Sequence, residues 1–261
     1  MTKAALTLTK VDKRFGGLRA VGGVSFTVAE GSIFGLIGPN GAGKTTVFNL
    51  VTGVYRADEG QILLGDTDLV GKQPAEIAAA GVARTFQNIR LFASMTVLEN
   101  VLVAGELRRR SHLFGEVART RRALDDERDI RARATELLSA MGLADLDDTM
   151  ATSLPYGSQR RLEIARALML GPKVLLLDEP AAGLNYGEAE VLVGQIRTLR
   201  EKYGLTVVLV EHNMQVVMGV CERIHVLDHG ITLAEGTPDE IKRHPKVVAA
   251  YLGDDTEDAD A

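Results

Sequence analysis

The chain has 261 residues, 46% hydrophobic and 25% charged, which suits one large α/β domain or a domain carrying a subdomain. No run approaches the roughly 18 apolar residues of a membrane span; Met1 to Ala5 lead into Leu6-Thr7-Leu8 rather than into a signal-peptide core; and Cys221 is the single cysteine, which excludes an internal disulfide and agrees with a reducing cytoplasm. The net charge of −5 comes from the last eight residues, Asp254 to Ala261, with five acids and no base; the rest is balanced, so no nucleic-acid partner is expected and residues 254–261 read as an acidic, disordered tail.

Residues 6–37 alternate short strand patterns with glycines, as in Val24-Ser25-Phe26-Thr27-Val28. The apolar run Ile33 to Ile37 is followed by Gly38-Pro39-Asn40-Gly41-Ala42-Gly43-Lys44-Thr45 and then by Thr46 to Val51. This is the GxxxxGK[ST] phosphate loop, set between a strand and a helix as that motif requires. Gly38, Gly41 and Gly43 allow the backbone to curl until several N–H groups converge on one point. The helix starting near Gly43 adds the positive end of its dipole. Lys44 is expected to reach the β- and γ-phosphates of ATP, and the Thr45 hydroxyl to hold Mg²⁺.

Gln61 to Leu64 is a further short strand before a turn at Gly65-Asp66, and Pro74 to Ala80 is a helix stopped by Gly81. The texture changes at about Phe92 and stays helical and charge-rich to about Met150. Thr96 to Leu107 carries Val97, Leu98, Val101 and Leu102 at helical spacing; Arg119 to Met141 carries Leu124, Ile130, Ala134, Leu137 and Leu138. These helices read as a subdomain inserted into the α/β core. Arg108, Arg109, Arg110, Arg119, Arg121 and Arg122 invite a lipid or nucleic-acid reading, but Asp125, Asp126, Glu127 and Asp129 interleave with further arginines, which favours a solvated helical face.

After Leu154 strands and helices alternate again. A helix spans Ser158 to Leu170, and Val174-Leu175-Leu176-Leu177-Asp178-Glu179-Pro180 is a near-continuous apolar run ending in two acids, the pattern of a buried parallel strand. Ligands in open α/β sheets lie beyond the carboxyl ends of the strands, so both acids are expected to face the nucleotide. Asp178 fits the acid that orients Mg²⁺ or its water; Glu179 fits a carboxylate that polarises the attacking water. A helix from Glu188 to Lys202, a strand from Thr206 to Val210 and a strand pair at Arg223 to Leu227 and Ile231 to Glu235 follow. Thr237-Pro238-Asp239-Glu240 is a capping box with proline at the first helical position. The whole order predicts a mainly parallel sheet covered on both faces. His112, His225, His229 and His244 show no metal-ligand spacing and read as structural or surface residues.

Leu154-Pro155-Tyr156-Gly157-Ser158-Gln159-Arg160-Arg161, together with the helical insert, resembles the signature segment of ATP-binding cassette (ABC) ATPases, whose common form is LSGGQ. The resemblance runs from about Leu6 to Leu252. It takes in Gln87 as the Q-loop glutamine, Ala181-Ala182-Gly183-Leu184-Asn185 as the D-loop, His212 as the switch histidine, and Phe15 as the aromatic that stacks on adenine. Three departures stand out. Pro155 replaces the usual serine and so removes the hydroxyl and the N–H that would face a partner's γ-phosphate; Ser158 replaces a glutamine; Asn185 replaces an aspartate. At finer grain, Arg84 to Phe92, Tyr156 to Arg166, Asp178 to Asn185 and Val248 to Gly253 resemble the ATP-binding subunits of bacterial branched-chain amino acid importers, whose close relatives also serve urea and short amides.

The resemblance implies a P-loop NTPase fold of the ABC type: a mainly parallel sheet, an antiparallel β subdomain and an inserted helical subdomain. It implies one ABC ATPase domain over residues 1–253, with an α/β core at 1–91 and 154–253 and the helical subdomain at 92–153. The cofactors implied are ATP and Mg²⁺. The nucleotide is expected against Phe15, Gly38, Pro39, Asn40, Gly41, Ala42, Gly43, Lys44, Thr45 and Thr46, with Gly157 contributed in trans by a second ATPase subunit, identical or paralogous. The metal set is Thr45, Gln87 and Asp178; the catalytic set is Glu179, His212, Lys44 and Gln87, with Gln87 sensing Mg²⁺ and moving the insert. The partners implied are transmembrane permease subunits and, indirectly, a periplasmic or extracellular solute-binding protein, placing the chain in the cytoplasm on the inner face of the membrane. A chromosome or repair ATPase shares the motifs but needs coiled coils or DNA-binding domains for which there is no room. A translation-associated cassette protein normally carries two cassettes, and here each motif occurs once. A non-transport ABC ATPase is the weaker alternative.

Overall fold

The computed structural model describes residues 3–106 and 121–254. Arg108, Arg109, Arg110, Arg119, His112 and all but the first residue of the acidic tail lie outside them. The chain opens with two long antiparallel strands, β1 (Ala4–Phe15) and β2 (Leu18–Ala29), where the sequence suggests several short ones. The difference has a physical cause. Their pairing shifts register between Leu8 and Val11 and again between Lys13 and Arg14, and each bulge resets the in–out alternation that marks a strand in sequence. β4 (Glu59–Leu64) pairs with β1 and β5 (Thr67–Asp68) with β4, completing a four-stranded antiparallel sheet in the order β2-β1-β4-β5.

The second sheet has the order β10-β9-β3-β8-β7-β6. Its members are β3 (Ile33–Ile37), β6 (Val82–Arg84), β7 (Val174–Asp178), β8 (Thr206–Val210), β9 (Arg223–Asp228) and β10 (Ile231–Gly236). All neighbours pair in parallel except β9 and β10, a hairpin. Every residue of β3, β7 and β8 is buried. Successive side chains point to opposite faces, so these strands feed two cores. Ile33, Ile37, Leu175, Leu177, Val207 and Leu209 join one; Phe34, Leu36, Val174, Leu176, Val208 and Val210 join the other.

The second of these cores is roofed by the antiparallel sheet, α1 (Lys44–Val51) and α2 (Pro74–Ala80). α2 begins at a Gln73–Glu76 capping box and stops at Gly81, whose φ of 115° suits a residue without a Cβ. The first core is covered by α3 (Val97–Gly105), α4 (Arg121–Ala140), α5 (Tyr156–Met169), α6 (Tyr186–Tyr203), α7 (Met214–Val220), α8 (Pro238–Lys242) and α9 (Pro245–Asp254). α3, α4 and α5 pack on one another through Val97, Leu98, Val101, Ala134, Leu137, Leu138 and Ile164. Leu124, expected on the apolar face of α4, is instead exposed, and Arg128 pairs with Asp125 on the solvated side. The capping box at Thr237 forms as expected. β6, α7 and α9 are additions to the expected elements. β6 is only three residues long, and α7 reads Met-Gln-Val-Val-Met-Gly-Val, with β-branched residues and a glycine that weaken any helical signal.

One titratable residue of the core bears on stability near neutral pH. His225 on β9 is fully buried against Phe26 and the Phe34 ring stacked on it, with Nδ1 3.0 Å from Glu235 Oε2 and Nε2 3.1 Å from Thr232 Oγ1. Burial holds its pKa below the ordinary 6.5, with Glu235 opposing. The unfolded chain therefore takes up the proton first as pH falls. The contribution of His225 is whole above about pH 6.5 and is lost as pH drops through the lower folded-state value. The urea midpoint is expected to fall between about pH 7.5 and pH 5.5, and His225→Gln should flatten that slope; equal slopes would refute it.

Candidate nucleotide-binding site

The phosphate loop leaves β3 at Gly38 and enters α1 at Lys44. Two of its glycines are demanded by close approach. A Cβ on Gly38 would lie 2.1 Å from the carbonyl of Leu227 at the end of β9, and one on Gly43 would lie 2.6 Å from the carbonyl of Ala20 in β2. Gly43 also has a φ of 98°. The loop is thus wedged between the two sheets, held further by the Gly230 N–H donating to the Ala42 carbonyl at 3.1 Å. No side chain caps α1 and no acid occupies its first turn, so its leading amides face the cleft with their partial positive charge. Lys44 is 6% exposed, and its Nζ donates to the carbonyls of Gly38 at 2.6 Å and Pro39 at 2.8 Å, drawing the loop around its own ammonium.

The neighbouring strands end in charge. Asp178 closes β7, is 3% exposed, and accepts from Arg84 Nη2 at 2.6 Å. Arg84, at the end of β6, also donates to Asn49 Oδ1 on α1 at 2.6 Å and lies over the rings of Phe48 and Phe86. Glu179 follows with a φ of 48°, a left-handed conformation that costs a side-chain-bearing residue energy. Its N–H donates to the carbonyl of Val210 at 2.8 Å. Its carboxylate is held on both oxygens: Oε1 lies 2.7 Å from His212 Nε2, and Oε2 accepts from Gln87 Nε2 at 2.9 Å.

His212 is carried just past β8 by a buried acid that sequence reading passed over. Glu211 is 2% exposed and accepts the amides of Ala181 at 2.6 Å, His212 at 3.1 Å and Asn213 at 3.3 Å. Burial pushes its carboxyl up, and those amides oppose the rise. The signal was present in the sequence as an acid between an apolar strand and a histidine, Val210-Glu211-His212.

Phe15, Asn40 to Thr46, Gln87, Glu179 and His212 line one cleft of about 430 Å³. Phe15 is 41% exposed at the cleft mouth, where its ring makes an edge contact with Tyr55 at 5.0 Å and lies 5.4 Å from the Lys13 ammonium. Arg19 and His229 also line it, and neither was singled out as a site residue from sequence. Arg19 is ion-paired to Asp12. Asp178 sits behind the cleft on Arg84, and the Gln87 side-chain amide points at Glu179. Gly157 lies apart, in the first turn of α5, where it lines a separate groove with Ser158, Arg161, Leu184 and Glu188. Pro155 is the N-cap of α5 and offers no side-chain hydrogen bond, although its carbonyl accepts from Ser158 N at 2.9 Å.

A strand, a glycine-rich loop and a helix at the carboxyl edge of a parallel sheet, with a lysine folded under the loop and an acid-tipped strand alongside, define a P-loop nucleoside triphosphatase. The family model described as ABC transporter matches residues 21–182, and that described as branched-chain amino acid ATP-binding cassette transporter matches residues 232–257. The chain is similar to the high-affinity branched-chain amino acid transport ATP-binding protein LivG of Escherichia coli, at 46% identity over 97% of this chain and 100% of the relative. It is 43% identical to BraF of Pseudomonas aeruginosa, again over 97% and 100%. Among solved structures, the ADP conformation of MJ1267, an ATP-binding cassette of an ABC transporter, superposes with a TM-score of 0.84 at 34% identity, covering 97% of this chain and 100% of that one. The dimeric structure of MJ0796, a bacterial ABC transporter cassette, superposes with a TM-score of 0.75 at 27% identity, covering 89% and 98%. The chain belongs to the ABC transporter family, as an ATP-binding subunit closely related to the LivG and BraF proteins.

Gly43→Ala should preserve the fold and lower affinity for a fluorescent ATP analogue at least about tenfold, because the added methyl forces the loop off Ala20. Wild-type affinity with an unchanged circular dichroism spectrum would refute this account of the loop.

Proposed function

We propose that this chain hydrolyses ATP to power uptake of branched-chain amino acids through partner permeases. The observation that carries the reading is the convergence of Lys44, Gln87, Glu179 and His212 on one cleft, in a chain 46% identical over 97% of its length to a transport ATP-binding protein. Residues 1–253 form one ABC ATPase domain in this reading, with residues 92–153 as the helical subdomain that grips a permease. Among the described residues no helix is long and apolar enough to cross a membrane. Transport therefore rests on such a partner, and the chain works at the inner face of the cell membrane. The solute-binding protein of the importer acts on the permease and not on this chain.

The amides of Asn40 to Thr46 and the Lys44 ammonium take the triphosphate, and the Phe15 ring takes the adenine; Gly38 and Pro39 lie outside the cleft lining, and Pro39 has no N–H to offer. Glu179 is the carboxylate that accepts a proton from, or aligns, the attacking water. His212 and Gln87 fix its two oxygens, so little reorganisation is needed when water arrives. The residues also fit Mg²⁺. That ion favours hard oxygen donors and takes one or two carboxylates beside phosphates and water. Thr45 and Gln87 at the cleft, and Asp178 behind it on Arg84, are the residues that would hold it, with Gln87 turning from Glu179 to present its oxygen. When bound, Mg²⁺ supplies charge neutralisation at the β- and γ-phosphate oxygens. A head-to-tail pair of ATPase subunits would bring Gly157 of one against the nucleotide of the other. That MJ0796, a bacterial ABC transporter cassette, is dimeric supports the pairing of two such subunits.

Glu179→Gln should keep nucleotide affinity within about twofold and lower turnover about a hundredfold or more, measured by phosphate release; undiminished turnover would remove Glu179 from the chemistry. Co-expressed with its permeases, the full chain should co-purify in the membrane fraction, and consistent absence from that fraction would overturn the transport reading.

A further inference from the structure

α5 carries a charged pair that nucleotide binding alone leaves unexplained. Arg160 has no exposed surface, Glu163 is 2% exposed one turn later, and their side chains meet at 2.9 Å. Removing two charges from water is costly unless their hydrogen-bonding capacity is used. Here most of it is spent on one segment, while Arg160 Nε has no hydrogen-bond partner among the described residues. Arg160 Nη1 donates to the carbonyl of Phe86 at 2.7 Å, and Nη2 to the carbonyl of Gln87 at 2.8 Å. Glu163 Oε1 accepts the amides of Phe86 and Arg90, each at 3.4 Å. Nη2 also reaches Tyr156 Oη at 3.2 Å.

Residues 85–91 belong to no helix or strand, so their main chain depends on such side chains for partners. The planar fork of an arginine is what allows two adjacent carbonyls to be held together. From that anchored backbone the Gln87 side chain extends to Glu179 Oε2. We infer that Arg160 and Glu163 are positioning residues: they clamp the segment around Gln87 to α5, so that the helix carrying most of the signature segment sets how Gln87 holds the Glu179 carboxylate. This rests on the role proposed above for Glu179. A pair that merely filled the core would be replaceable by apolar side chains of similar volume at little cost.

The test is the double variant Arg160→Met/Glu163→Leu in the full chain. The chain should still fold, with a urea midpoint below wild type, because the carbonyls of Phe86 and Gln87 and the amides of Phe86 and Arg90 lose their side-chain partners. Two changes are expected together: amide hydrogen exchange in residues 85–91 at least tenfold faster, and kcat for ATP at least fivefold lower with KM unchanged. Either readout at its wild-type value in the folded double variant overturns the inference. Arg160→Lys covers the case in which the double variant does not fold. It retains the buried charge balance yet cannot fork to both carbonyls, and it must move both readouts in the same direction. Hydrogen exchange is independent of turnover, so failure of the catalytic reading would appear in Glu179→Gln and remain distinct from failure of the clamp.

Discussion

Everything chemical in this protein depends on three short strands being apolar on both sides. β3, β7 and β8 bury every side chain they have, one half into each core. A sheet covered on both faces leaves only its edges to meet water, and parallel pairing sends all three carboxyl ends to the same edge. The phosphate loop, Asp178-Glu179 and Glu211-His212 are the residues that come immediately after those ends. Their proximity follows from strand order and requires no direct attraction between them.

At that edge rigidity comes from main-chain groups being tied by side chains. Lys44 gathers the carbonyls of its own loop, Glu211 gathers three amides around His212, and Arg160 with Glu163 gathers the main chain around Gln87. Irregular backbone cannot satisfy itself as a helix or sheet does. Buried charge supplies the missing partners, and satisfied buried charge admits few alternative arrangements. The cleft is therefore built largely before any ligand enters it.

Much of this was legible in the sequence, and the exceptions are instructive. The phosphate loop, the acid-tipped strand, the Gly81 stop and the Thr237 cap depend on residues a few positions apart, and local pattern reports them faithfully. The β1–β2 ribbon was harder because its bulges scramble alternation. Arg84 and Arg160 stand in segments that the sequence marks by resemblance alone, with no role attached to either side chain. Their partners Asp178, Phe86 and Gln87 lie 73 to 94 residues away, and only tertiary packing brings them together. Composition and charge-run reasoning has no access to pairs at that separation. Arg19 and His229 escaped for the same reason, since strands from both sheets are needed to bring them to the cleft.

The backbone of Glu179 has a wider consequence. With φ at 48°, this residue sits where glycine or asparagine would be more comfortable. Under the role proposed for Glu179, a design optimised for heat resistance alone would be drawn to a more comfortable residue at this bend and would give up turnover in exchange.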